Sequence, residues 1–363
     1  MNAPQPRPGV LLTAPYVAGV SAIEGVDKPI KLSSNESPLG PSPLAIAAYH
    51  AVATHLFRYP DGNQSELRMA IAEAFGLEPQ RLVFGNGSDE VIQLLMRAYV
   101  GPGDDVVLSQ YSFAMCRTHA LTQGARIIVA AEPDCRIDVD RILAAVTPAT
   151  SLVALASPNN PCGTYLPRVE LARLHTALRP DVLLLIDAAY ADYVVAKDYD
   201  CGFALARDAG NVVVTRTFSK LYGLAALRIG WGYGPAPVID AMQRIRTPFN
   251  TNAAALAAAA AAVRDLHHAE QVRSHNLRWL ERLHADFTAM GLTVTPSSAN
   301  FVLLHFHAAP HDAVGAKKFL IARGIIPRAL GEGAPPNTLR ITIGLDYENA
   351  ALLAALGEFL GRG

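Results

Sequence analysis

Of the six lysines in the 363-residue chain, Lys28, Lys31, Lys197, Lys220, Lys317 and Lys318, only Lys220 directly follows a run that reads as a buried strand. Val213-Val214-Thr215-Arg216-Thr217-Phe218-Ser219-Lys220 sets an amine at the end of an apolar segment, with Gly223 behind it and Arg228 eight residues further on. A desolvated amine attacks carbonyls, so Lys220 is the one candidate for a Schiff-base amine. Ser219 and Arg228 beside it could hold a phosphate by hydroxyl and charge-assisted hydrogen bonds. Lys317 and Lys318 fall in an amphipathic pattern and read as a solvated face.

Three further apolar runs end in polar residues that such chemistry needs. Val182-Leu183-Leu184-Leu185-Ile186 ends in Asp187, with Tyr190 three residues on. A carboxylate closing a buried strand is costly unless a cation or hydrogen bonds meet it. A pyridinium nitrogen would serve, because an aspartate keeps that nitrogen protonated and the ring then accepts electrons. A structural salt bridge or a helix cap would serve as well. The run over 151–156 leads into Ser157-Pro158-Asn159-Asn160-Pro161-Cys162-Gly163. That loop reads equally as a plain turn or as a rigid support presenting an amide to a ligand oxygen. Phe84-Gly85-Asn86-Gly87-Ser88-Asp89-Glu90 places glycines between a strand and a helix start, where backbone N–H groups bind phosphate. Alone, it also fits an ordinary turn capped by Ser88 or Asp89. The third glycine of a dinucleotide fingerprint is missing, which counts against a nicotinamide site.

These residues need a scaffold that brings four strand ends together. From about Arg81 onward, strands are expected over 81–84, 105–109, 125–130, 151–156, 182–186 and 211–215, alternating with helical patterns such as 90–99 and 168–178. Strands apolar on both faces imply βα units around a buried, mostly parallel sheet flanked by helices, an α/β fold. In that architecture ligands sit at the carboxyl ends of the strands. Thr251 and Asn252 are candidate N-caps of one long helix running to Met290, with Gly291 as its stop. Strand 301–306, helix 313–323, strand 340–343 and helix 347–359 then suit a smaller C-terminal α/β domain. The expected division is an N-terminal arm packing with the small domain over 1–40, a large cofactor-binding domain over 41–252 and the small domain over 253–363.

Composition narrows the classes. With 51% hydrophobic and 17% charged residues the chain is a folding one. Lys+Arg 31 against Asp+Glu 32 leaves a net charge of -1, so no global field draws it to nucleic acid or an anionic membrane. The cysteines, Cys116, Cys135, Cys162 and Cys201, show neither CxxC nor metal-ligand spacing, so reduced thiols are expected. His305 and His307 alternate on one strand face without a third ligand, and no metal is expected. The apolar stretch Val10-Leu11-Leu12 is too short for a signal-peptide core. The alanine-rich run 253–263 falls short of the roughly 20 residues of a membrane helix. A soluble, cytoplasmic protein is the expectation.

Asn160-Pro-x-Gly, Asp187-x-x-Tyr190 and Ser219-Lys220 with Arg228, in this order and spacing, resemble the fold-type I pyridoxal-phosphate (PLP) aminotransferases, over nearly the whole chain. Leu32-Ser33-Ser34-Asn35-Glu36-Ser37-Pro38-Leu39-Gly40 and Arg58-Tyr59-Pro60-Asp61-Gly62 look like the histidinol-phosphate aminotransferase subgroup, enzymes of histidine biosynthesis. The resemblance implies that Gly87, Ser88, Asp89, Ser219 and Arg228 hold the PLP phosphate and that Tyr111 stacks on the ring. It implies that Asn160 and Tyr190 hydrogen-bond the ring's O3′, that Asp187 pairs with its nitrogen, and that Lys220 anchors the cofactor and moves protons. Tyr59 would reach the phosphate of a neighbouring subunit, so a homodimer with shared sites is implied. Arg340 would grip a substrate carboxylate, and Tyr16, Asn35 and Arg328 would line the substrate pocket. The implied substrates are histidinol phosphate with glutamate and 2-oxoglutarate.

The sequence departs from the family pattern at Cys162, where a threonine is usual, and at Pro327, which restricts the backbone before Arg328. Two rival activities share the scaffold: an aromatic aminotransferase, whose substrate could fill the same imidazole pocket, and a decarboxylase of a phosphorylated amino acid. A PLP-binding regulator would need an appended DNA-binding domain, for which the Pro-rich stretch before Asn35 leaves no room.

Overall fold

The computed structural model describes residues 3–15, 19–331 and 333–361. Its strands are β1 (Ile30–Leu32), β2 (Leu82–Gly85), β3 (Asp105–Ser109), β4 (Arg126–Ala130), β5 (Thr150–Ala156), β6 (Leu183–Asp187), β7 (Val212–Thr217), β8 (Gly230–Tyr233), β9 (Thr293–Thr295), β10 (Phe301–His305), β11 (Ile325–Ala329) and β12 (Thr338–Thr342). They form a seven-stranded sheet in the order β2-β8-β7-β6-β5-β3-β4 and a five-stranded sheet in the order β1-β11-β12-β10-β9.

In the large sheet every neighbouring pair is parallel except those of β8, which runs antiparallel to both β2 and β7. Alternate residues of each strand face opposite sides. Val153, Leu155, Leu184 and Ile186 join one core, under the helices Ser65–Phe75, Arg168–Ala177 and Ala253–Arg264. Leu152, Ala154, Leu183 and Leu185 join the other, under Gly87–Tyr99, Ala114–Gln123 and Ala236–Ile245. Helices on both faces explain why these strands carry apolar residues without alternation. Strand β8 lies outside the expected set because Gly-Trp-Gly-Tyr lacks the β-branched run that marks its neighbours. Its Gly230 is required by packing: a Cβ there would stand 2.2 Å from the Ser88 backbone nitrogen.

The smaller sheet packs on the helices Leu266–Ala289, Ala313–Ala322 and Asp346–Phe359 through Trp279, Leu283, Phe287, Leu304, Leu320 and Leu352. Its edge strand β1 comes from the N-terminal segment and pairs in parallel with β11, Ile30 opposite Ile325. The single long helix expected to reach Met290 is two helices, Ala253–Arg264 and Leu266–Ala289. Asp265 leaves helical geometry (φ -83, ψ 72) and accepts a hydrogen bond from the His268 backbone N–H at 3.1 Å, which starts the second helix afresh. Asn252 caps the first by accepting from Ala255 N–H at 2.7 Å. That first helix buries Ala255, Ala258, Ala259 and Val263 in the core of the large sheet. Among the described residues no helix is long and apolar enough to cross a membrane.

Candidate active site

The carboxyl ends of β2, β5, β6 and β7 open into one cavity of about 150 Å³, lined among others by Ser88, Asn160, Asp187, Tyr190, Lys220 and Arg228. Neighbouring parallel strands in register bring their ends to one level, so Ala156 pairs with Asp187, and Asp187 with Thr215. Four chain-distant segments thereby meet without any loop having to reach far.

At the β2 end, Gly87 adopts a left-handed φ of +76, which turns the chain sharply from strand into helix. The Asn86 side chain does not cap that helix start, Glu90 accepts from the Asn86 backbone N–H at 2.5 Å, and Gly87, Ser88 and Asp89 of the first turn line the cavity, where an anion is favoured at a helix pole. The Arg228 guanidinium lies against the turn: a Cβ on Gly87 would stand 2.7 Å from it. Arg228 Nη1 also donates to Ser219 Oγ at 3.3 Å. Ser88, Asp89, Ser219 and Arg228 thus gather a hydroxyl pair, a cation and a helix pole at one end of the cavity.

At the opposite wall Asp187 is 7% exposed and accepts from Thr215 Oγ1 at 3.0 Å. Burial, reinforced by the nearby charge of Asp89 and opposed by the Thr215 hydrogen bond, pushes its pKa up to about 6. Such a carboxylate gains from a cationic ring nitrogen placed against it. Lys220 opens partly to the cavity, yet its ammonium is enclosed by protein. Burial, then the positive charges of Arg340 and Arg228, lower its pKa to about 8, against the raising effect of Glu36. Its Nζ donates to the Ser34 carbonyl at 3.4 Å and lies 5.6 Å from the centroid of the Tyr190 ring.

Tyr190 is buried, and burial raises its phenol pKa. Its oxygen accepts from Asn35 Nδ2 at 2.9 Å, while Thr342 Oγ1 donates to Asn35 Oδ1 at 3.1 Å. This chain ties the N-terminal segment and β12 of the small sheet to the large-sheet site. Arg340 makes a second tie: its guanidinium donates to Asn160 Oδ1 at 2.5 Å and to the Ser33 carbonyl at 2.8 Å. Arg328 stands directly opposite Arg340 in the β11–β12 ladder.

The remaining expected residues fall as follows. Tyr111 does not line the cavity; it packs beside Cys135, Cys162 and Leu303. Phe113, two residues later and just before the helix Ala114–Gln123, stands at the cavity wall. Both aromatics follow the β3 end, and the turn that decides between them leaves no periodicity to read. Tyr59 is 81% exposed, away from its own chain's cavity, with its ring stacked on Phe249 at 4.7 Å. Tyr16 lies outside the described residues. Cys162 is wholly buried and its thiol pKa is raised, so the departure there places no thiolate in the loop.

The donor set fits PLP: an open helix start with a cation for a phosphate, a buried carboxylate for a ring nitrogen, an aromatic wall and an amine easily made neutral. Comparison with known proteins agrees. A family model described as aminotransferase class I and II matches residues 27–356. The histidinol-phosphate aminotransferase of Paramagnetospirillum magneticum is 51% identical over 99% of this chain and all of its own length. That of Rhodopseudomonas palustris (strain HaA2) is 50% identical, covering both chains fully. The crystal structure of the Sinorhizobium meliloti histidinol-phosphate aminotransferase, in complex with pyridoxal-5'-phosphate, superposes with a TM-score of 0.85, 30% identity and 92% of each chain covered. With this geometry and these relatives, the chain belongs to the class I and II aminotransferases and, within them, to the histidinol-phosphate aminotransferase family.

Proposed function

We infer that the protein is a PLP-dependent aminotransferase that interconverts histidinol phosphate and 2-oxoglutarate with imidazole acetol phosphate and glutamate, a step of histidine biosynthesis. The observation that carries the substrate reading is the pair Arg328 and Arg340, directly opposite on adjacent antiparallel strands. Such partners share a face of the sheet with Cβ atoms about 5 Å apart, and like charges there repel. An anion between them turns that repulsion into attraction, and a phosphate or a carboxylate suits the guanidinium fork equally. One pocket can therefore take the phosphate of one substrate and the carboxylate of the next.

When bound, PLP supplies an aldehyde and an electron-accepting ring. The backbone of Gly87, Ser88 and Asp89 at the helix start, with Ser219 and Arg228, would hold its phosphate, Asp187 its ring nitrogen, and Asn160 and Tyr190 its O3′. Phe113, at the cavity wall, would face the ring. Lys220, whose pKa lowered to about 8 leaves part of it neutral near pH 7, would take the proton from the substrate Cα and, as general acid, give it to the cofactor's aldehyde carbon. Arg340, held by Asn160 and the Ser33 carbonyl, orients the substrate anion, with Arg328 and Asn35 completing the pocket.

With 2-oxoglutarate as acceptor, kcat/KM for histidinol phosphate is expected to exceed that for phenylalanine. Equal values, or a preference for phenylalanine, favour the aromatic aminotransferase. Release of CO₂ without glutamate favours the decarboxylase.

The active unit is proposed to be a homodimer with shared sites, working in the cytoplasm, where the four unpaired cysteines stay reduced. Support comes from a groove of about 720 Å³ beside Leu44, Val52, Tyr59 and Ala257, with Leu56 and Phe57 exposed close by in the chain. An apolar exposed patch of this kind marks an association surface. Tyr59 on that surface has no role in its own cavity and is available to a second copy. Mixing inactive Tyr59→Ala and Lys220→Ala proteins is expected to restore up to a quarter of the activity, since the statistical hybrid holds one intact site (about half of dimers, one site in two). No recovery in isolated hybrids contradicts shared sites.

A further inference from the structure

We propose that His119 is a positioning residue of the cofactor-phosphate site: by hydrogen-bonding the Asp89 carboxylate it holds it away from the helix start. This rests on the assignment of Gly87, Ser88 and Asp89 to the PLP phosphate. Asp89 is the third residue of the helix Gly87–Tyr99, and a carboxylate in a first turn is drawn to the N–H groups at the helix pole. Those are the groups the phosphate requires. An acidic side chain in that place competes with the ligand as an internal anion, and when it does not bind the pole it repels the incoming phosphate.

The structure shows how that conflict is resolved. Asp89 Oδ1 lies 3.0 Å from Nε2 of His119, on the neighbouring helix Ala114–Gln123. His119 is 6% exposed, so the imidazole sits behind the site wall and draws the carboxylate back into the helix–helix contact. Cys116, one turn earlier on the same helix, is buried and kept as a neutral thiol by burial and by the charges of Asp187 and Asp89, so it offers no counter-charge. The two carboxylates repel each other, since the charge of Asp89 helps to raise the pKa of Asp187. By fixing the direction of the Asp89 carboxylate, His119 therefore sets how that charge faces both the phosphate site and Asp187.

The test compares PLP with pyridoxal, which lacks the phosphate, as ligands of the cofactor-depleted full-length protein, read by quenching of protein fluorescence. In His119→Phe the dissociation constant for PLP is expected to rise about tenfold while that for pyridoxal changes less than twofold, the loss of one charge-assisted hydrogen bond acting on the phosphate alone. His119→Gln, which keeps a donor for Asp89, is expected to recover most of the preference for PLP. In the Asp89→Asn background, where no carboxylate remains to be held, His119→Phe is expected to change PLP affinity less than twofold. If His119→Phe does not fold, as judged by its melting curve, His119→Leu replaces it in the same comparison. Equal losses for PLP and pyridoxal, or an unchanged PLP preference, overturn the proposal while leaving the phosphate site itself standing. A wild-type protein that binds the two ligands equally overturns both.

Discussion

Lys220→Ala is expected to lower transamination about 10⁴-fold, because both the covalent anchor and the group that moves the substrate proton are lost together. The physical ground is the amine's position at the end of β7, enclosed by protein and facing the positive charges of Arg340 and Arg228. Those surroundings disfavour the ammonium form and place its pKa at about 8 rather than near 10.5. Only the neutral amine attacks the cofactor aldehyde. Uptake of PLP by the cofactor-depleted wild type is therefore expected to speed up as pH rises towards 8 and to level off above it. Borohydride treatment of the loaded protein fixes the cofactor to Lys220 in the wild type and to no residue in Lys220→Ala. A midpoint near 10.5, or a fixed adduct in the variant, contradicts the assignment.

Asp187→Asn is expected to lower kcat about 10³-fold, comparable to removing a preorganised charge partner from an active site. The asparagine can fill the same space and keep a hydrogen bond with Thr215, but it has no charge with which to hold a proton on the ring nitrogen. In the cofactor-free protein the Asp187 carboxyl, pushed up to about 6, is ionised at neutral pH but gains a proton as pH falls through 6. Affinity for PLP in the wild type is accordingly expected to decline below pH 6, and in Asp187→Asn to lose that step. Because Lys220 remains, the variant should still be fixed to the cofactor by borohydride. Wild-type turnover in Asp187→Asn would place the ring-nitrogen partner elsewhere.

Much of the architecture was legible because buried parallel strands leave a plain mark. The apolar runs ending at Ala156 and Ile186 have neighbours on both faces, so alternation disappears and the first polar residue, Ser157 or Asp187, marks the strand end. Position at a strand end, in turn, is position at the site. Asp187 and Lys220 could be singled out for that reason. What escaped was set by tertiary contacts. Gly230 of β8 is required because the helix start at Gly87 and Ser88 packs directly on the strand, a demand that has no local pattern. Asp265 divides what the alanine run suggests is one helix, since a single side chain able to cap the next turn outweighs the propensity on either side. Phe113 and Tyr111 are separated by a turn, and only the packing of Tyr111 against Cys135, Cys162 and Leu303 decides which ring meets the cavity. His119 reads from sequence as one more polar residue on a helix, and gains its meaning from Asp89, thirty positions away.

The N-terminal segment carries the same lesson for the substrate pocket. Asn35 adopts a left-handed φ of 55 and reaches from the segment beside β1 to both Tyr190 and Thr342. Ser33 and Ser34 offer their carbonyls to Arg340 and Lys220. The short stretch 33–35 therefore joins the two sheets beside Tyr190, Lys220 and Arg340.

The most direct test of the central claim is a visible-spectrum titration of the PLP-loaded protein without any keto acid, adding histidinol phosphate and phenylalanine separately. Transfer of the amino group to the cofactor is expected to bleach the long-wavelength band at a much lower concentration of histidinol phosphate than of phenylalanine. Bleaching by phenylalanine alone contradicts the substrate assignment, and a band that neither amine changes contradicts the aminotransferase reaction itself.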